Sequence, residues 1–195
     1  MTSPNYAFQT DDGVWVRVRP MRTDDAPHLI DIFEHLSPQS RYLRFHEPLD
    51  SPDPQLVEQT AAEIAKITAK KGHGWLAFAD LPEQPNAPVA GARWVRVDGD
   101  VAEIALTVRD DMQRKGIGRE LLRLAALDAY AAGIRRLIAI LVATNQPVLR
   151  LLQRSPFPTK RVYRSGELYV EVDLTEEGIE RLLEPKERLH QLQPA

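Results

Sequence analysis

Residues 101–122 read VAEIALTVRDDMQRKGIGRELL, and this stretch decides the fold. Residues 101–108 are apolar and β-branched enough for a buried strand, interrupted by one acid, Glu103. Asp110 and Asp111 end the strand, Gln113-Arg114-Lys115-Gly116-Ile117-Gly118 forms a basic loop, and residues 119–132 are helical in composition, closed by Gly133. A helix N-terminus presents unpaired N–H groups and roughly half a positive charge. Gly116 and Gly118 admit a close anionic group, and Arg114, Lys115 and Arg119 add charge of the right sign. The reading is a cradle for a diphosphate.

Composition bounds what surrounds it. The chain has 195 residues, 43% hydrophobic and 27% charged, ordinary for one globular domain with a substantial core. A net charge of −3 gives no general attraction to nucleic acid or to a membrane surface, so the basic loop is a local feature. The absence of cysteine excludes disulfides, thiolate metal sites and a cysteine nucleophile. The longest apolar run, residues 137–143, is far short of the ~20 residues a spanning helix needs, and residues 1–13 lack signal-peptide features. A cytoplasmic protein, monomer or homodimer, is expected. The five histidines (His28, His35, His46, His73, His190) show no metal-ligand spacing, so no metal is assigned. His73, between two glycines, reads as a loop residue.

Taken in order, residues 14–19 alternate as a first strand and Pro20 ends it. Thr23 is the expected cap of a helix with Asp24 and Asp25 in its first turn and Leu29, Ile32, Phe33 and Leu36 on one side. Ser37-Pro38 opens a second helix through Phe45, and residues 54–71 form a third. Residues 75–79 are a short strand, and the proline-rich residues 80–88 are expected to be a loop. Residues 89–97 and 101–108 form a hairpin around Asp98-Gly99-Asp100. Residues 137–143 read as a central strand buried on both faces. Asn145-Gln146-Pro147 opens a short helix, residues 161–164 and 168–174 a last hairpin, and residues 175–195 a peripheral tail with some helix. The order implies a single α/β domain, residues 1–195 with its core at 14–174. Its mixed, mostly antiparallel sheet carries helices on both faces and one parallel pair, residues 101–108 with 137–143. The cradle would lie at the C-terminal end of the first strand of that pair.

In that setting, Gln113-Arg114-Lys115-Gly116-Ile117-Gly118 resembles the acetyl-CoA motif of the GNAT N-acetyltransferase superfamily: Gln or Arg, two residues, Gly, one residue, then Gly or Ala. Asn145 is similar to the asparagine that begins the family's next helix, and Ser155-Pro156-Phe157 sits where a Gly-Phe pair often ends it. SPQSRYLRF at 37–45 and AEIALTVRDDMQRKGIG at 102–118 resemble the acetyltransferase domain of bacterial protein-lysine acetyltransferases. Those enzymes commonly carry a second, regulatory domain, for which this length leaves no room.

The resemblance implies acetyl-CoA as cosubstrate, held by Leu106, Thr107, Val108, Gln113, Arg114, Lys115, Gly116, Ile117, Gly118, Arg119 and Asn145. It also implies an amine acceptor, a protein lysine or a small amine, and Glu103 as general base. Backbone N–H groups near Thr107 and Val108 would polarise the thioester carbonyl. On composition alone Glu103 reads instead as a solvent-facing strand residue or the partner of an arginine. Arg41-Tyr42 and Arg44-Phe45 either line an acceptor pocket or pack their aromatics inward. Two departures stand out. Leu152 occupies the position of the tyrosine that protonates the leaving thiolate in many relatives, and Pro156 replaces a glycine. A fold that binds acetyl-CoA as a sensor without turnover is the alternative from a different class.

Overall fold

A computed structural model describes residues 6–184. Eight strands form one sheet in the spatial order β1-β2-β3-β4-β5-β6-β8-β7, made of β1 (Tyr6–Gln9), β2 (Trp15–Pro20), β3 (Gly72–Leu81), β4 (Gln84–Asp98), β5 (Val101–Val108), β6 (Arg136–Val142), β7 (Thr159–Arg164) and β8 (Glu167–Asp173). Every neighbouring pair is antiparallel except β5 and β6. The helices are α1 (Ala26–Glu34), α2 (Pro38–Phe45), α3 (Pro54–Lys71), α4 (Ile117–Ala131), α5 (Gln146–Gln153) and α6 (Glu176–Leu183), with a 3₁₀ turn at Asp110–Met112. This is the expected mixed, mostly antiparallel sheet with one parallel pair. No described helix is long and apolar enough to cross a membrane.

Alternation in the strands gives the sheet two dressed faces. Val16, Val18, Ala77, Ala90 and Ala92 pack with Leu106, Val108 and the α4 residues Ile117 and Leu121, and the same layer continues through Trp94, Ala102 and Leu137. On the opposite face Met21, Leu76 and Phe78 pack with Leu29 and Ile32 of α1. α1, α2 and α3 cover that face over β3 to β5.

Four expectations need correction. β1 was not anticipated: Ala7 and Phe8 are both buried, so the four-residue strand shows no alternation. Its Tyr6 Oη donates to Glu120 Oε1 (2.6 Å), which also pairs with Arg123 (2.6 Å), fastening β1 to α4. Residues 80–88 are not a loop. β3 and β4 run on to a two-residue turn at Pro82-Glu83, and Pro88 is accommodated by a bulge, with Phe78 opposite Pro88 and Ala77 opposite Ala90. The buried Arg109 guanidinium anchors that extension through Gln84 Oε1 (2.8 Å). β6 is not buried on both faces: Ile140 is 49% exposed.

Finally, Thr23 does not cap α1. The N-cap is Asp25, whose side chain makes no capping bond. Its buried carboxylate accepts two hydrogen bonds from Arg19 (2.6 and 2.7 Å) and one from the Arg22 N–H (2.6 Å), fixing the chain before the helix. Burial pushes this carboxyl up, but Arg19 and the Arg22 N–H outweigh it and hold it below the usual carboxylate range. The stabilisation is therefore present above the unfolded pKa of ~3.9 and lost as pH falls through the lower folded value. Asp25→Asn is expected to cost about 1.5–3 kcal/mol at neutral pH. In urea melts the gap from the parent protein should close below about pH 4, and a gap independent of pH would refute the ionic account. Ser37 caps α2 as expected, accepting from Ser40 N (3.2 Å). Of the expected tail, α6 is present, capped by Thr175; residues 185–195 lie outside the described residues.

Candidate active site

β5 and β6 stay paired for three rungs only: Val101 with Arg136, Ala102 with Leu137 and Glu103 with Ile138. Beyond that point β5 remains paired with β4 through Val108, and β6 remains paired with β8 through Val142. The two strands therefore part, and the sheet opens into a cleft bordered by backbone groups of β5 that meet no ladder partner on β6. Glu103 stands on the last rung, at the point where the cleft begins.

The basic loop lies at the far end of the same strand. Arg114 and Gly116 have positive φ (61° and 87°), so the chain coils tightly before α4. Gly116 is the N-cap of α4 and brings no capping side chain, which leaves the first N–H groups of the helix for another acceptor. A Cβ on Gly118 would lie 3.1 Å from Leu106 Cδ2, 3.7 Å from Val108 Cγ2 and 3.8 Å from Leu151 Cδ1, filling the narrow space between α4, β5 and α5. An uncapped helix start, a coiled glycine turn and a gap that one methyl would close fit the diphosphate and pantetheine arm of a CoA thioester.

The other expected residues divide by role. Gln113 Nε2 donates to Val108 O (3.2 Å) and Asp110 Oδ1 (2.9 Å), so this side chain braces the loop. Lys115 is paired with Asp12, whose carboxyl it holds below the usual range, while Arg114 and Arg119 are exposed. Ile117 is buried in the core, so only its backbone faces the loop. Leu106 and Val108 point to the α4 side and Thr107 to the other, where its Oγ1 accepts from Arg44 Nε (3.0 Å). Asn145 is buried and its Oδ1 accepts from Val148 N (3.3 Å), starting α5 beside the cleft.

Glu103 and Thr107 share the face covered by α1 to α3. The Glu103 side chain is 51% exposed, and its Oε1 lies 3.9 Å from Arg93 Nη2. Arg44 and Arg93, together with Phe33, Phe45 and Ala105, line a cavity between these helices and β4–β5. The alternatives for residues 41–45 resolve into a division. Arg44 and Phe45 line the cavity, Phe45 stacks edge-on against Phe33 (5.6 Å), and Tyr42 stays exposed. Arg93 escaped the sequence reading. Its one available signal is a charge in the apolar run 89–97, at a position that the hairpin turn places opposite Ala105. His73 is not a loop residue. It is the second residue of β3, 3.0 Å from Asp128 Oδ2 on the α4 face, away from Glu103.

Comparison with known proteins agrees with this fold. The chain is 27% identical over 149 residues to acetyltransferase Pat of Mycolicibacterium smegmatis, a match spanning 75% of this chain and 42% of that protein, so less than half of the curated relative is represented. Among solved structures, the GNAT domain of S. lividans PAT superposes with a TM-score of 0.70 at 26% identity, covering 87% of this chain and 97% of that one. A variant of a cAMP-binding acyltransferase from Mycobacterium smegmatis gives 0.59 at 25% identity, covering 92% and 50%. Residues 16–157 match the acetyltransferase (GNAT) domain, nearly three-quarters of the chain, and the chain belongs to that family.

Proposed function

We propose that the protein is an acetyl-CoA-dependent N-acetyltransferase that acetylates a primary amine, with Glu103 as its general base. The observation that carries the reading is the position of Glu103 on the last shared rung of β5 and β6, facing the cavity side, while the uncapped start of α4 lies at the other end of the cleft. Acetyl-CoA supplies the acyl group as an activated thioester. Gly116, Gly118 and the α4 N-terminus receive its diphosphate, and the unpaired backbone of β5 beyond Glu103 aligns the pantetheine arm. A lysine-like amine of pKa ~10.4 must lose a proton before attack, costing about 4–5 kcal/mol at neutral pH. Glu103, directly or through a water, takes that proton; the amine nitrogen bonds to the carbonyl carbon, the C–S bond breaks, and the thiolate leaves. Backbone N–H groups at Thr107 and Val108 stabilise the developing oxyanion. Leu152 offers no proton to the thiolate, which, as a good leaving group, takes one from solvent.

Acceptors separate the readings. Labelled acetyl-CoA incubated with lysine-containing proteins, amino acids and polyamines is expected to acetylate at least one amine class at a rate well above the uncatalysed transfer. Tight binding of acetyl-CoA with no transfer to any of them would instead favour a sensor.

A further inference from the structure

The cavity beneath α1, α2 and α3 has apolar walls, among them Leu29, Phe33, Phe45 and Ile64, yet two guanidinium groups enter it. The Arg93 side chain is 17% exposed and makes no hydrogen bond among the described residues; its Nε is buried without an acceptor. The acid nearest to it, Glu103, is 3.9 Å away and half in water. Arg44 donates from Nε to Thr107 and lies over the Phe45 ring at 5.1 Å, and its terminal nitrogens meet no acceptor among the described residues. Burial and the repulsion of Arg93 push Arg44 down to about 10, with Glu103 pulling the other way; burial lowers Arg93 as well, again opposed by Glu103. Two cations thus share one distant carboxylate. An arginine carries five donors in a planar fork, and burying such groups without acceptors is costly. The natural complement of two forks in an apolar pocket is a carboxylate, held by paired N–H donors.

We propose that this pocket binds a carboxylate carried by one of the two reactants, deepening the acyl-transfer reading on which it rests. Ala105 and Thr107 of β5 line the same pocket, and Glu103 stands at its rim. The carboxylate therefore lies a few bonds from the reacting carbon. It belongs either to the acceptor, as in an amino acid, or to the far end of a dicarboxylic acyl group such as succinyl. A polyamine, cationic throughout, is disfavoured by like charge.

Calorimetry on the intact chain tests this with two matched pairs: N-acetyl-L-alanine against its neutral amide, and succinyl-CoA against butyryl-CoA. In one pair the carboxylate form is expected to bind about 10- to 100-fold more tightly, the range of charge-assisted hydrogen bonds. The pair that discriminates identifies the source. In Arg44→Met and in Arg93→Met the preference should fall by about 10-fold or more, the loss of one charge-assisted bond. Melting temperature should hold or rise, because an uncompensated buried charge has been removed. Arg93→Lys, with charge but no fork, should be intermediate. Equal affinity within both pairs would overturn the proposal, as would a preference that survives both methionine variants. Should those variants fail to fold, the comparison in the parent protein still decides. Failure of acetyl-CoA itself to bind would count against the transferase reading, while the alanine pair would still report on the pocket.

Discussion

Glu103→Gln is expected to lower turnover by about 10²–10⁴-fold, the range for a positioned general base. Acetyl-CoA affinity should stay nearly unchanged, since the proposed cradle residues, Gly116 and Gly118, lie past the end of β5 at the start of α4. The sign of the pH dependence follows from the acceptor. As pH rises towards the amine pKa, more amine arrives already neutral and the base is needed less, so the deficit shrinks. The competing role is visible in the structure, where Glu103 is the acid nearest to Arg93, 3.9 Å away. A half-exposed pair of that length contributes about 1 kcal/mol or less, so removing it shifts stability little. Rate–pH profiles of the parent protein and the variant, each with a melting curve, separate the two. A deficit constant with pH, or a large drop in melting temperature, would assign Glu103 to structure and leave the transferase without this base.

The second large effect is expected at Gly118. Its φ is not in the left-handed region, so substitution there carries no backbone penalty of the kind Gly116 would impose at φ 87°. A glutamate in the first turn is welcome to the helix dipole, so Gly118→Glu should fold. Its Cβ, however, would crowd Leu106, Val108 and Leu151, and its charge would sit where a diphosphate is proposed to bind. Loss of one or two charge-assisted hydrogen bonds predicts about 10- to 10⁴-fold weaker acetyl-CoA binding. Gly118→Ala supplies the steric part alone. Calorimetry returning the parent affinity in a folded Gly118→Glu would remove the cradle assignment.

What was legible in the sequence was whatever depends on neighbours in the chain. Ser37-Pro38 starts α2 because both requirements, a capping oxygen and a tolerated missing N–H, are met locally. The turn at residues 99–100 and the coil before α4 are likewise written in glycines. Distant partners override such signals elsewhere. Asp25 reads as a first-turn acid until Arg19, on another element, draws its carboxylate away. Three prolines between residues 80 and 88 read as a loop until a bulge and Arg109 hold the segment in the sheet. The cavity is the extreme case. Arg44 and Arg93 are 49 positions apart, on a helix and on a strand, and no spacing rule could bring them together. The glycine turn before α4 lies within one contiguous stretch and was readable; the cavity draws on five elements, α1, α2, α3, β4 and β5, and of its two arginines only Arg44 had been singled out.

The short pairing of β5 with β6 has a further meaning for traffic through the molecule. Because the sheet is whole at one end and divided at the other, the division is a doorway between its two faces. On the proposed reading the thioester comes in from the α4 side and the amine from the side of α1 to α3, so the reactants meet head-on in the doorway. Neither stands in the other's path, and after transfer each product can retreat the way its precursor came.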